Sequence, residues 1–404
     1  MVKFLMLPTE IISRIFSRCD LSSRKALRLA SRRLGQIGQR SVFHTAIIYL
    51  NTYDLDADLD ELCEREDDSD DDTDFPIQFY NLFDRLKEFP RLQSIVLRFH
   101  KEAVWETSYW VDVPQEFEQR EAIMKRAMKI FASLPRPLQE LAIRDLQNVN
   151  TTDPTVAADI AKVLGSLKSL RLNITNERRE FHAELDFQRE EPHVFYPALP
   201  SVCLKPTTAS LQHLTIYSSL YCGFYPKLDF RDIHFPRLKS LALRNYGFVH
   251  DSQLKWILSH AATLSELYLD DCAIIYEGFN DNFYASYSKR WVDYFRAFKD
   301  GLPHLQHFRY GHGEGWFEGD EAAPFERETE IKNGFHEESY RVCCDGFGPG
   351  PYMSELVYRM ESEQDNNHVD HEPADKVGPT ENDKEAFREL CAKLGQTIPD
   401  FKDY

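Results

Sequence analysis

The chain of 404 residues has no long apolar run. Its apolar runs are only a few residues long, and one near the start, Phe4-Leu5-Met6-Leu7, is cut by Pro8 and Glu10, so neither a membrane-spanning helix nor a signal-peptide core fits and export is not expected. It also lacks C-x-x-C spacing. Eight cysteines (Cys19, Cys63, Cys203, Cys222, Cys272, Cys343, Cys344 and Cys391) are scattered through a chain too long to need stapling, which points to reduced thiols in the cytoplasm, the nucleus or both. The sequons at Asn150 and Asn173 would matter only in a secretory protein. Absent too are G-x-S-x-G, Walker A, G-x-G-x-x-G and H-E-x-x-H; His336-Glu337 opens the last pattern, but Tyr340 stands where its second histidine belongs. An enzyme would have to assemble its chemistry from distant residues, and no catalytic group, cofactor or metal is expected.

What is present suffices for a large core. The chain is 42% apolar and 13% aromatic, which excludes global disorder, and its length suits two or three domains. The formal charge of −18 is uneven: residues 1–45 carry net +7, residues 54–74 net −12 and residues 311–404 net −14, leaving the body close to neutral. The positive residues of the head are interleaved with a helical apolar pattern, so they read as solvated helix faces and nucleic acid is not an expected partner. Asp54, Asp56, Asp58 and Asp60 alternate like the start of a calcium loop. Leu59 at the sixth position and Arg65 at the twelfth exclude an EF-hand, so residues 54–74 are expected to be a disordered acidic insertion. Cys343-Cys344 beside His336 is a poor metal site, because adjacent thiols cannot easily reach one ion.

The head reads as three short helices. Leu7-Pro8-Thr9-Glu10-Ile11-Ile12-Ser13-Arg14-Ile15-Phe16 places proline in a first turn ahead of apolar residues at 11, 12, 15 and 16. Asp20 with Ser22 or Ser23 can cap a second helix through Leu27 and Leu29, and Ser31 a third carrying Leu34 and Ile37. So small a unit cannot bury all these side chains alone. The run LPTEIISRIF, then RKALRLASRRL, then VFHTAIIYL resembles the F-box, most closely the form in fungal F-box proteins. That resemblance implies docking on a Skp-type adaptor, and through it on a cullin and RING ubiquitin ligase, by Leu7, Pro8, Ile11, Ile15, Phe16, Leu27, Leu29 and Leu34. Phe43 stands where many members have tryptophan and Ala30 where a larger aliphatic is usual, which implies weaker adaptor binding.

From residue 92 a phrase L-x-x-[LIF]-x-[LIY] recurs: Leu92/Ile95/Leu97, Leu138/Leu141/Ile143, Leu167/Leu170/Leu172, Leu211/Leu214/Ile216, Leu238/Leu241/Leu243, Leu264/Leu267/Leu269 and a degraded Leu305/Phe308/Tyr310. The leading leucines are 46, 29, 44, 27, 26 and 41 residues apart, so the long intervals hold either an insertion or two merged repeats. Helical patterns precede most copies, among them Ile123/Ala127/Phe131, Val156/Ile160/Val163/Leu164, Leu254/Ile257/Leu258 and Trp291/Phe295/Phe298. Residues 176–208, with their prolines, fit no helix and are expected to be a loop.

The expected architecture is therefore α/β. A three-helix F-box (1–45) and an acidic insertion (54–74) lead into an irregular leucine-rich-repeat solenoid (75–312) with a parallel inner sheet and outer helices. An acidic extension (313–404), partly disordered and with a terminal helix around Phe387, Leu390 and Leu394, ends the chain. This body resembles the leucine-rich arrays that follow the F-box in many fungal receptors. Residues between the leucines should line the concave face: Arg98, Arg144, Arg171, Arg244 and Arg309, with Tyr217, Tyr268, His213 and Asp270. Five arginines suit an acidic or phosphorylated protein segment, or else pair with acids on neighbouring repeats. The functional expectation is a non-catalytic substrate-recognition subunit of an SCF-type ubiquitin ligase. An F-box scaffold that uses the adaptor without promoting ubiquitination is the alternative, and an unrecognised enzyme the third reading.

Overall fold

The computed structural model describes residues 45–50, 83–89, 91–99, 117–151, 153–176, 190–280, 283–312, 327–344, 362–364 and 377–397. The head and the acidic stretch 54–74 lie outside them.

Every copy of the recurring phrase becomes a strand. They are β2 (Ser94–Phe99), β3 (Glu140–Gln147), β4 (Ser169–Thr175), β5 (His213–Ser218), β6 (Ser240–Arg244), β8 (Glu266–Asp270) and β11 (His307–His312). They pair in chain order, all parallel, within one nine-stranded sheet. β1 (Thr45–Leu50) pairs parallel to β2 at one edge and β12 (Lys332–Asn333) antiparallel to β11 at the other. The result is a mixed α/β fold with a mostly parallel sheet. Because strands on either side of each long interval are direct neighbours, those intervals hold insertions and not merged repeats.

Parallel neighbours need a crossover, and helices supply most of them. α1 (Phe117–Ala132) precedes β3, α2 (Pro154–Leu164) precedes β4, α4 (Asp251–Leu258) precedes β8 and α5 (Trp291–Gly301) precedes β11. α2 starts where the sequence dictates: the Asp153 carboxylate accepts from the Thr155 N–H at 2.8 Å, and Pro154 occupies a first-turn position whose N–H is not needed. Ile123, Ala127 and Phe131 of α1 and Trp291, Phe295 and Phe298 of α5 are buried, as their spacing predicts.

The segment 176–208 departs from expectation. It contains α3 (Glu190–Leu199), continued by a π-helical turn at Pro200–Leu204. Pro192 falls in the first turn, and Pro197 breaks the regular ladder locally. Burial of Phe195, Tyr196, Leu199 and Leu204 outweighs that loss.

The stretch from 313 onward supplies structure to the same body. A second sheet has the order β13-β9-β10-β14, with β9 (Ala273–Asn280), β10 (Phe283–Ser286), β13 (Tyr340–Cys344) and β14 (Ser362–Gln364). β7 (Gly247–Phe248) also pairs with β9. The expected terminal helix, α6 (Glu381–Lys393), packs on α5, with Phe387 stacked on Phe295 at 4.9 Å between ring centroids. Asp383, fully buried, completes the Thr380 cap of α6 and accepts from the Val292 N–H at 2.8 Å, filling an orphan donor in the first turn of α5. Among the described residues no helix is long and apolar enough to cross a membrane.

Candidate binding face of the sheet

Side chains alternate along each strand, so leucine, isoleucine and aromatic positions enter the helix-covered core while the intervening ones form the opposite face. Register aligns the latter in rows. One row runs Val96, Ala142, Arg171, Thr215, Ala242, Tyr268 and Arg309. In the next, Arg98 lies beside Arg144, Asn173 beside Tyr217, and Arg244 beside Asp270. All seven residues expected to bind a target therefore share one face, with His213 and Asp270.

That face is closed, which corrects the expectation of an open arginine surface. Arg98, Arg171, Tyr217, Arg244 and Tyr268 are buried, and Arg144 and Arg309 are half-buried. The 3-10 turn Arg327–Glu330 lies across it. The Glu328 carboxylate pairs with the Arg171 guanidinium and accepts from the Thr215 hydroxyl at 3.0 Å. Arg309 Nε donates to the Thr329 carbonyl at 3.4 Å. Ile331 completes a small apolar cluster with Val96, Ala142, Tyr217, Ala242 and Tyr268. A carboxylate does meet the arginines here, but it belongs to the same chain.

The remaining charges are answered locally. Arg144 Nε is 3.5 Å from Asp145, and Arg244 reaches Asp270 at 3.6 Å and Asp271 at 3.2 Å while its guanidinium lies 6.0 Å from the Tyr217 ring centre. Burial pushes the Tyr217 phenol well above its ordinary pKa, and the Asp270 and Glu328 carboxylates push the same way. Burial lowers the His213 imidazole. Asp270, Asp271 and His312 are the one group among the described residues that could hold a metal ion. Arg244 already lies between the two carboxylates and offsets one of their two charges, and His312 Nδ1 is 2.8 Å from Asp271.

Sequence reasoning missed Glu328, which lies 157 residues from Arg171 in a stretch with no repeat to place it. It also missed Asp145, Asn245 and Asp271, three non-glycine residues with φ near +50°. Each stands two positions after the last aliphatic residue of its phrase, and aspartate and asparagine tolerate this left-handed geometry. That offset was a readable signal. Burial pushes the Cys222 thiol up to about 12 and Cys391 to about 11, so both stay protonated at neutral pH.

Residues 4–45 match the F-box domain family. F-box domains bind Skp-type adaptors that link them to a cullin, so the match marks an adaptor-binding segment of the kind used in SCF-type ubiquitin ligases. No curated protein matches the chain. Leu7, Pro8, Ile11, Ile15, Phe16, Leu27, Leu29 and Leu34 lie within the matched segment but outside the described residues. The match ends on Thr45, the residue that opens β1, so no spacer separates the head from the sheet edge.

Proposed function

We propose that the protein is the substrate-recognition subunit of an SCF-type ubiquitin ligase, engaging a Skp-type adaptor through residues 4–45 and holding a protein target on the body. The observation that carries this reading is the F-box match fused, without a spacer, to the edge of a long parallel sheet. We read the phrase-bearing strands with their outer helices as an irregular leucine-rich-repeat array. Its mechanism is proximity: other subunits transfer ubiquitin, and a held target presents its lysines at high effective concentration. No catalytic group is required of this chain. The eight head residues named above would form the adaptor surface. An acidic or phosphorylated target segment would take the place of Glu328 against Arg171, bordered by Arg98, Arg144, Tyr217, Arg244, Tyr268 and Arg309.

Adaptor pull-down with Leu7→Ala and Pro8→Ala tests the first half. Loss of adaptor and cullin together, with accumulation of a body-bound protein, supports it; undiminished adaptor recovery overturns it. Glu328→Gln tests the second half, since it weakens the internal contact without opening a large hole. Greater recovery of co-purifying target is expected, and unchanged recovery rejects the displacement. The face being filled by the chain's own carboxylate also suits a scaffold that never releases it. Cullin recovered with the unaltered chain, but no target accumulating in the head variants, would select that reading.

A further inference from the structure

On the other side of the sheet from the arginine face, α1 and α2 do not close completely over β3 and β4. They leave a cavity of about 300 Å³ that reaches the surface beside Val202, in the π-helical turn after α3. Its volume is that of about ten waters and lies at the small end of ligand pockets. Met124 and Met128 of α1, Ile160 of α2 and Leu141, Ile143 and Leu170 of the strands make most of the wall apolar.

Two polar side chains interrupt that wall. Gln147, at the end of β3, is 6% exposed, lines the cavity, and neither its amide nitrogen nor its amide oxygen has a hydrogen-bond partner. A buried amide left without partners is costly, and a core position that only needed filling would suit leucine better. Arg120 of α1, 3% exposed, also lines the cavity; it donates to the Asp145 carbonyl at 2.8 Å and lies 5.4 Å from the Phe99 ring centre. Burial lowers its pKa to about 10 while the nearby Asp145 carboxylate acts the other way, so the guanidinium keeps its charge at neutral pH and already has one acidic neighbour. An unsatisfied amide and a cation in the wall of an apolar chamber are complementary to a ligand with one anionic head.

We propose that this cavity binds a small carboxylic acid with a compact apolar body, its carboxylate held by the Gln147 amide N–H and the Arg120 guanidinium and its body among the side chains of α1, α2, β3 and β4. The site lies on the opposite side of the sheet from the arginine face. It stands whether or not the protein serves a ligase.

The test uses the full chain, titrated calorimetrically with 4-phenylbutyrate and with 4-phenyl-1-butanol, which keeps the apolar body and drops the charge. Saturable one-site binding of the acid is expected, about tenfold or more tighter than the alcohol. Gln147→Leu is expected to weaken the acid about tenfold and leave the alcohol little changed. Val202→Trp, at a surface-exposed lip, should block both while leaving the urea midpoint in place, and it decides the matter should Gln147→Leu fold poorly. No saturable binding of the acid, equal binding of acid and alcohol, or binding that survives Val202→Trp would each overturn the proposal.

Discussion

On one face of the nine-stranded sheet, alternate positions carry Ile95 and Leu97, Leu141 and Ile143, Leu170 and Leu172, and so on to Phe308 and Tyr310. On the other, the same strands carry valine, alanine, threonine, tyrosine, aspartate and arginine in no fixed order. The first face is covered, apart from the gap between α1 and α2, by helices adjacent in sequence to its strands. The second is closed, among the described residues, by a turn far away in the chain, Arg327–Glu330. A repeated face can be read from local period, because each copy solves the same packing problem. A unique face is covered by whatever segment complements it, and that choice is made only once the chain has folded.

Four experiments probe this contrast, beginning with the greatest effect. Phe295→Ala strikes the apolar face where Phe308, Tyr310, Phe335 and Phe387 meet, and should cost about 4 kcal/mol in urea unfolding. A loss under about 1 kcal/mol would mean that the core closes around the gap. Glu328→Ala strikes the polar face by leaving the Arg171 guanidinium buried beside an empty place, for about 3 kcal/mol. The pair Arg171→Met with Glu328→Leu should restore most of that, and a double-mutant cycle with no coupling would show the turn to be unimportant. Gly311→Ala tests the junction of β11 and β12: a Cβ there would sit 1.9 Å from the Lys332 carbonyl oxygen, so the strands must part, at about 2 kcal/mol.

The smallest effect is one of pH. His260 is buried on the helical side, its Nε2 accepting from the Phe235 N–H at 3.1 Å, while Nδ1 lies 2.9 Å from the Trp256 carbonyl and so carries the proton. Burial holds its pKa at about 4, below the roughly 6.5 of an unfolded imidazole. Above about pH 6.5 neither state binds a proton and the group contributes no slope. Between that value and about 4 the unfolded chain takes up a proton that the fold resists, so stability falls as pH falls, by up to about 1 kcal/mol per unit. Urea midpoints at pH 7 and pH 5 measure the slope, and His260→Gln should flatten it. An unchanged slope would place the titration elsewhere.

The candidate site was legible only in part, for the same reason. Arg98, Arg144, Arg171, Arg244 and Arg309 were placed on one face by counting from leucines, and register puts them there. Their burial was not legible, because neither Glu328 nor Ile331 belongs to any repeat. The helix at Glu190–Leu199 was missed because Pro192 and Pro197 fall within it, while what stabilises it is the burial of Phe195 and Tyr196, the latter bonded to Ser218 of β5. Gln147 belongs to no motif, and the gap between two helices that gives it meaning has no sequence signature.

By itself the sequence determined the F-box likeness of the head, the strand positions and their inward residues, since each rests on spacing within a few dozen residues and on the periods of helix and strand. Tertiary structure alone decided that the long intervals are insertions, that Glu328 answers Arg171, that the acidic extension completes two sheets, and that a cavity remains between α1 and α2. Those outcomes depend on which distant surfaces fit together, and shape and charge at long range leave no periodic trace along a chain.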